Sequence, residues 1–235
     1  MCFSASASFV AGAALSVAGI ATLSQVDGKS EVPFALIPLL FGVQQLTEGV
    51  IWLTFQYRMP LLTLVMPSVY SVFSHVLWPI YIPFAIAFLE LTPRRKRAIS
   101  GFQIAGAVVG LYLLYSLIVR PITAEVVGQH IVYDTPHFYG VPVMVLYLAA
   151  TCVSCWFSSH TFVRLFGVLA LLSFVAAYLF HAAALISIWC FFAAILSLLV
   201  FLHLRFRRLG GFPASVSEVR ATIDHSTDAA ARSAR

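Results

Sequence analysis

Apolar residues run along this chain in stretches of about 20, broken by short clusters of charge, proline and glycine, a pattern that predicts membrane-crossing helices. The breaks give spans near 4–24, 33–56, 64–91, 98–118, 138–157, 162–183 and 186–206. The fold class expected is therefore an all-α membrane protein of seven helices, a single bundle over residues 1–209. The sixth break is the least marked, because only His181 to Ser187 separates the last two spans and no charge marks the turn.

The segment between spans four and five departs from this pattern. Ala124 to Tyr133 alternates as two short strands meeting at Gly128-Gln129, and glycine at the first turn position suits a type II′ hairpin. Asp134-Thr135-Pro136 follows as a helix start, a capping side chain with proline close behind. Such a loop is placed to lie as a lid over its end of the bundle. Beyond Leu209 the chain turns to Gly210-Gly211-Phe212-Pro213 and a polar tail to Arg235, so residues 210–235 read as a disordered cytoplasmic segment.

Composition agrees with the pattern: 61% of residues are hydrophobic and 10% charged, far from a soluble domain. Basic residues then orient the bundle. Lys29, Arg94 to Arg97, Arg164, Arg205, Arg207 and Arg208 fall on one side with the tail arginines, and only Arg58 and Arg120 on the other. The N-terminus is expected outside and the C-terminus inside, which requires an odd number of spans. The net charge of +5 calls for no nucleic-acid partner. Met1-Cys2-Phe3-Ser4 lacks the basic start of a cleavable signal peptide, so the first span is expected to remain.

Small residues mark where helices approach closely, since lipid removes the hydrophobic drive between them. Ser4, Ser8, Gly12 and Ser16 form a ridge on span one, and Gly106 and Gly110 a GxxxG pair in span four. Packing within one bundle accounts for both; a homo-oligomer face is the alternative.

Glu48 carries the strongest chemical signal, because it is the carboxylate nearest the middle of a span. An acid at a helix centre costs about 2.5–3.5 kcal/mol and by default faces the bundle interior at a functional site. Gln44 and Gln45 share or flank its face. His75 in span three falls within about one helical turn of the same depth, so the two can meet. Pro79 has no N–H for the carbonyl of His75, and Pro83 repeats the device at Pro79, which predicts a bend beside Trp78 and a polar, cavity-lining backbone. A buried structural contact of Glu48 with His75 or a glutamine is the alternative to a functional pocket.

A second tier lies at the outer surface: Cys2, His130, His137 and His181, with Asp134, Tyr133, Tyr139 and Tyr178. Imidazole and thiolate suit zinc or copper, although no HxxxH or paired CxxC spacing fixes two ligands on one face. Cys152 and Cys155 form a CxxC without strand–helix context, and with Cys190 they read as buried thiols. His160 and His203 read as inner-edge residues, and Glu90 as a carboxylate reaching toward Arg94 to Arg97. No lysine lies in span seven for a Schiff base, and His203 lacks an HxxxH partner.

The opening Met1-Cys2-Phe3-Ser4-Ala5, the run Ile37 to Gly49 and Trp78-Pro79 resemble the uncharacterised bacterial membrane proteins that begin with MCFSA. The resemblance implies a seven-span inner-membrane protein, with motif weight on Cys2, Gln45, Glu48 and Trp78, and brings no established activity. Two classes of function stay open beside the metal-binding one. In the first, an outward-facing pocket binds or translocates a small solute, an ion or protons, with Glu48 as carrier, His75 as relay and Gln44, Gln45 and Trp78 as binding residues. In the second, Glu48 is the general acid or base of a membrane-embedded enzyme acting on a lipid-like substrate, with His75 as its catalytic partner.

Overall fold

A computed structural model describes residues 4–135, 138 and 140–208, and of His181, Ala183 and Arg208 the backbone only. Six helices among the described residues are long and apolar enough to cross a membrane: α1 Ala5–Leu23, α2 Lys29–Gln56, α3 Pro60–Leu89, α4 Pro93–Val119, α6 Thr161–Phe180 and α7 Leu185–Arg207. Between α4 and α6 lies the shorter apolar helix α5, Val141–Trp156. It starts later than the sequence pattern places it because Gly140 is extended and Pro142 fits the first turn. At 1.5 Å per residue it is about 24 Å long, short of the roughly 30 Å hydrocarbon core. Six long helices and one short one replace the expected seven of full length. The weakly marked sixth break is a single 3-10 turn, Ala182–Ala184.

Helices α2, α3 and α7 form the centre, with 61%, 61% and 56% of their apolar windows buried, against 28%, 28% and 33% for α1, α4 and α6. The small residues explain how the outer helices attach. A methyl group on Gly12 would sit 2.8 Å from Leu46, one on Gly19 2.6 Å from Leu39 and one on Gly42 2.7 Å from Ser16, so α1 lies directly against α2. On α4, a methyl group on Gly106 would fall 1.8 Å from the carbonyl oxygen of Pro79. Pro83 has no N–H for that carbonyl, and glycine alone lets the α4 backbone close over it. The GxxxG pair therefore packs against α3 within the chain.

The bend expected in α3 is a π-helical stretch, Val72–Leu77, in which Trp78 N–H bonds the carbonyl of Phe73. In that frame Pro79 deprives Ser74, and not His75, of its donor, and the Tyr147 hydroxyl donates to the Ser74 carbonyl instead. A second π stretch, Ala149–Val153, lies in α5. Such stretches are uncommon and concentrate at functional sites.

Strands β1 (Ala124–Val127) and β2 (His130–Tyr133) pair antiparallel with Ala124 opposite Tyr133, leaving Gly128-Gln129 as the turn. Gly128 has φ 63° while Gln129 does not share the left-handed region, the combination a type II′ turn requires. Ile131 and Tyr133 point inward and are buried. Tyr133 stacks on Tyr70 of α3 (centroids 4.8 Å), and Phe138 meets the ring edges of His75 and Tyr147 (5.0 and 5.1 Å). The hairpin segment thus covers one end of the bundle.

The opposite end is closed by polar contacts. Glu90, 1% exposed, accepts the N–H of Ser159 (2.7 Å) and of Thr92 (3.0 Å), and Arg95 donates to the Ser158 carbonyl (3.0 Å). The α3–α4 and α5–α6 connections therefore share one end, and α5 runs from the hairpin to that end. Glu90 turns to backbone donors and not, as its spacing suggested, to the basic cluster. Arg207 clamps Glu31 and Asp27 (3.0 Å), tying α7 to the α1–α2 connection. His160 and His203 pack edge to face at 5.1 Å.

Helix α2 ends in a Schellman motif: Met59 N–H bonds the Thr54 carbonyl (2.9 Å) and Arg58 N–H that of Phe55 (3.4 Å). The residue at the left-handed position is Arg58, φ 50°, where glycine is usual; a side chain there costs about 1–3 kcal/mol.

Candidate functional site

The helical period of α2 sets the site. Phe41, Gln44, Gln45 and Glu48 recur at three- and four-residue steps, so one stripe of the most buried helix carries all of them, and each is 2% exposed or less. Glu48 Oε1 accepts a hydrogen bond from Ser187 Oγ of α7 at 2.5 Å. Gln44 Oε1 accepts from Trp78 Nε1 of α3 at 2.6 Å, and Trp78 stacks on Phe41 with centroids 3.8 Å apart. The Cys190 thiol of α7 lies beside Tyr70, Gln44 and Glu48. Three central helices thus converge on one polar cluster in an apolar interior.

Gln45 is the anomaly. It is fully buried, and neither end of its amide has a partner among the described residues. An amide group kept from water without a hydrogen bond costs about 1–3 kcal/mol, so this side chain is retained against its own contribution to stability. Trp52 Nε1, on the same stripe, is likewise buried without a partner.

His75 is buried and close by in sequence terms, but it does not pair with Glu48. Its Nδ1 meets Ser74 Oγ at 2.8 Å within the π stretch and its ring edge faces Phe138; its Nε2 has no partner among the described residues. The wider turn of the π stretch rotates the imidazole out of the position that α-helical spacing gives it. Glu48, Gln44 and Trp78 are brought together, whereas His75 belongs to a neighbouring aromatic layer under Phe138 and Tyr147.

A partly open cavity of about 30 Å³ lies beside Trp78 and Cys190, walled also by Phe41, Tyr147, Cys152 and Trp189; its walls are almost wholly apolar and Glu48 is not among them. It has room for about one or two water molecules. Ser187, Tyr70, Cys190 and Tyr147 were not singled out as site residues from the sequence. Serine, tyrosine and cysteine are too common inside membrane helices to stand out, and only their convergence on α2 marks them.

The metal candidates fall mostly outside the described residues. Cys2 and His137 lie outside the described residues, as does the side chain of His181; His130 sits on β2 opposite Val127. Among the described residues no three His, Cys, Asp or Glu side chains converge on a metal position. Cys152, Cys155 and Cys190 are free and buried.

At the opposite end, burial works to raise the Glu90 carboxyl, but the N–H donors of Ser159 and Thr92 outweigh it and hold the group below its ordinary value of 4.5. Burial also pushes the neighbouring His160 imidazole below 6.5, opposed by the Glu90 charge and by a hydrogen bond to the Leu89 backbone. These groups fasten a loop and face no cavity.

The chain belongs to a family of unknown function, DUF6629, whose model matches residues 1–215. No curated protein and no solved structure matches it.

Proposed function

We propose that this multi-pass membrane protein takes up a proton at an intramembrane site centred on Glu48, with Ser187 as its hydroxyl partner and Gln44, Gln45 and Trp78 as the surrounding polar wall. The observation that carries this reading is a fully buried carboxylate bonded across the bundle at 2.5 Å and flanked by the buried Gln45 amide, which has no partner among the described residues. The nearby cavity has a volume of only about 30 Å³. That volume is far below the 300 Å³ or more of small-molecule pockets, which weighs against a lipid-like substrate and against Glu48 as the acid or base of an enzyme.

The seven-span topology is part of the proposal. With α5 crossing a locally thinned bilayer, the hairpin end is outside and the basic end inside, consistent with Lys29, Arg94 to Arg97, Arg164, Arg205 and Arg207 sharing one end. The protein is then an inner-membrane protein of a bacterium. A reporter active only in the cytoplasm, fused to the C-terminus, should be active; an inactive fusion with normal expression would reverse the orientation.

The site is tested by infrared titration of the purified protein. A carboxylic acid carbonyl band whose intensity changes with pH is expected, and it should be lost in Glu48→Gln, which keeps the shape of the side chain. A pH-invariant spectrum, or a band unchanged by the substitution, would refute proton uptake at Glu48.

A further inference from the structure

The turn between α2 and α3 places a long cation where chain geometry asks for glycine, and the cation borders an open groove. The groove encloses about 530 Å³ at the hairpin end, between the α2–α3 turn and the start of β1. Its walls include Arg58, Thr63 and Thr123 on the polar side and Phe55, Leu64 and Ile122 on the apolar side; no carboxylate lines it. Arg58 is exposed, and its side chain makes no hydrogen bond or ion pair with any other described residue. Leu64 also belongs to an exposed apolar flank of α3, with Leu61 and Val65 beside it 72% and 46% exposed.

This is an amphipathic trough with a guanidinium at its polar end. The planar guanidinium fork matches a phosphate, and at a membrane–water boundary its charge is attracted to anionic headgroups by about 1 kcal/mol even before specific contacts form. The exposed flank of α3 suits an acyl chain and not a water-soluble ion. We infer that the groove holds an anionic phospholipid, with the phosphate on Arg58 and an acyl chain along Leu64 and the α3 flank. The left-handed backbone at Arg58 is then retained because it aims the side chain across the groove mouth.

The test uses Arg58→Gly, which suits the left-handed position better than arginine and so removes the cation without endangering the fold; Arg58→Asn, also tolerant of that position, serves as a second variant. The melting temperature of the detergent-purified full chain is followed against added phosphatidylglycerol, phosphatidylcholine or inorganic phosphate. Wild type should be stabilised by phosphatidylglycerol, and the apparent affinity should fall about tenfold in both variants, as loss of one charge-assisted contact gives. Arg58→Lys should restore part of it. An equal response of wild type and Arg58→Gly, an equal response to phosphatidylcholine, or no response to phosphatidylglycerol at all would overturn the inference. Matching stabilisation by inorganic phosphate would replace the lipid with a soluble anion. None of these outcomes depends on Glu48, so the two readings stand or fall separately.

Discussion

Glu48 and Glu90 are both buried carboxylates, 0% and 1% exposed, and the molecule treats them in opposite ways. Glu90 sits just past the end of α3, where two backbone N–H groups bond its two oxygens and the α5–α6 loop is fastened as a result. Glu48 sits inside the apolar bundle, bonded by a serine hydroxyl, near the Cys190 thiol and on one stripe with the Gln44 and Gln45 amides. Backbone donors are fixed, strong and irreversible in the folded state, so Glu90 is held as an anion and acts as a bolt. A hydroxyl partner rotates and serves either protonation state, which is the arrangement that the proposed proton uptake at Glu48 requires. On that proposal, burial alone does not mark a functional carboxylate; the kind of donor around it does.

Removing each acid is the most direct way to break this comparison. Glu90→Ala strips two charge-assisted bonds and leaves two buried N–H groups unpaired, and should cost about 3 kcal/mol in chemical denaturation. Glu48→Gln should change stability by less than about 1 kcal/mol while abolishing the titrating infrared band, since a neutral amide is cheaper to bury than a carboxylate. Equal destabilisation by both would show that Glu48 is a second bolt.

Acid sharpens the contrast. Both His160 and Glu90 are held below their ordinary values, so the folded state binds fewer protons than the unfolded one and their contribution is complete above pH 6.5. It is lost as pH falls, first below 6.5 through His160 and then below 4.5 through Glu90. Hydrogen exchange at Ser159 and His160 should therefore quicken on acidification, and an exchange pattern independent of pH after correction for intrinsic rates would contradict the assignment. The smallest expected effect is that of Ser187→Ala, about 0.5–1 kcal/mol, with a measurable displacement of the Glu48 band. An unmoved band would remove Ser187 from the site.

Much of the bundle was legible in the sequence because bilayer thickness and backbone satisfaction leave few alternatives. Runs of about 20 apolar residues give helices, and Gly128-Gln129 between alternating residues gives the hairpin. Helix α5 was legible at 138–157 but its shortness was not, because Gly140 and Pro142 cut the front of its apolar run and a hydropathy pattern does not register a late start. The Arg207 clamp escaped because Asp27 and Glu31 look like ordinary loop charges until α7 returns beside them. Pro79 announced a bend in α3, but not its π form, which passes the orphaned carbonyl from His75 to Ser74 and turns the imidazole away from Glu48.

What the sequence determined by itself was therefore the class of solvent, the helices that meet it, and the acid that stands nearest mid-span. Those follow from composition and period, which are local. The tertiary structure decided the partners: Ser187, Tyr70 and Cys190 around Glu48, Tyr147 at the freed carbonyl, and Arg58 at the edge of an amphipathic groove. Such contacts join residues far apart in the chain, and their geometry is fixed by helix packing and local winding, neither of which a hydropathy pattern encodes.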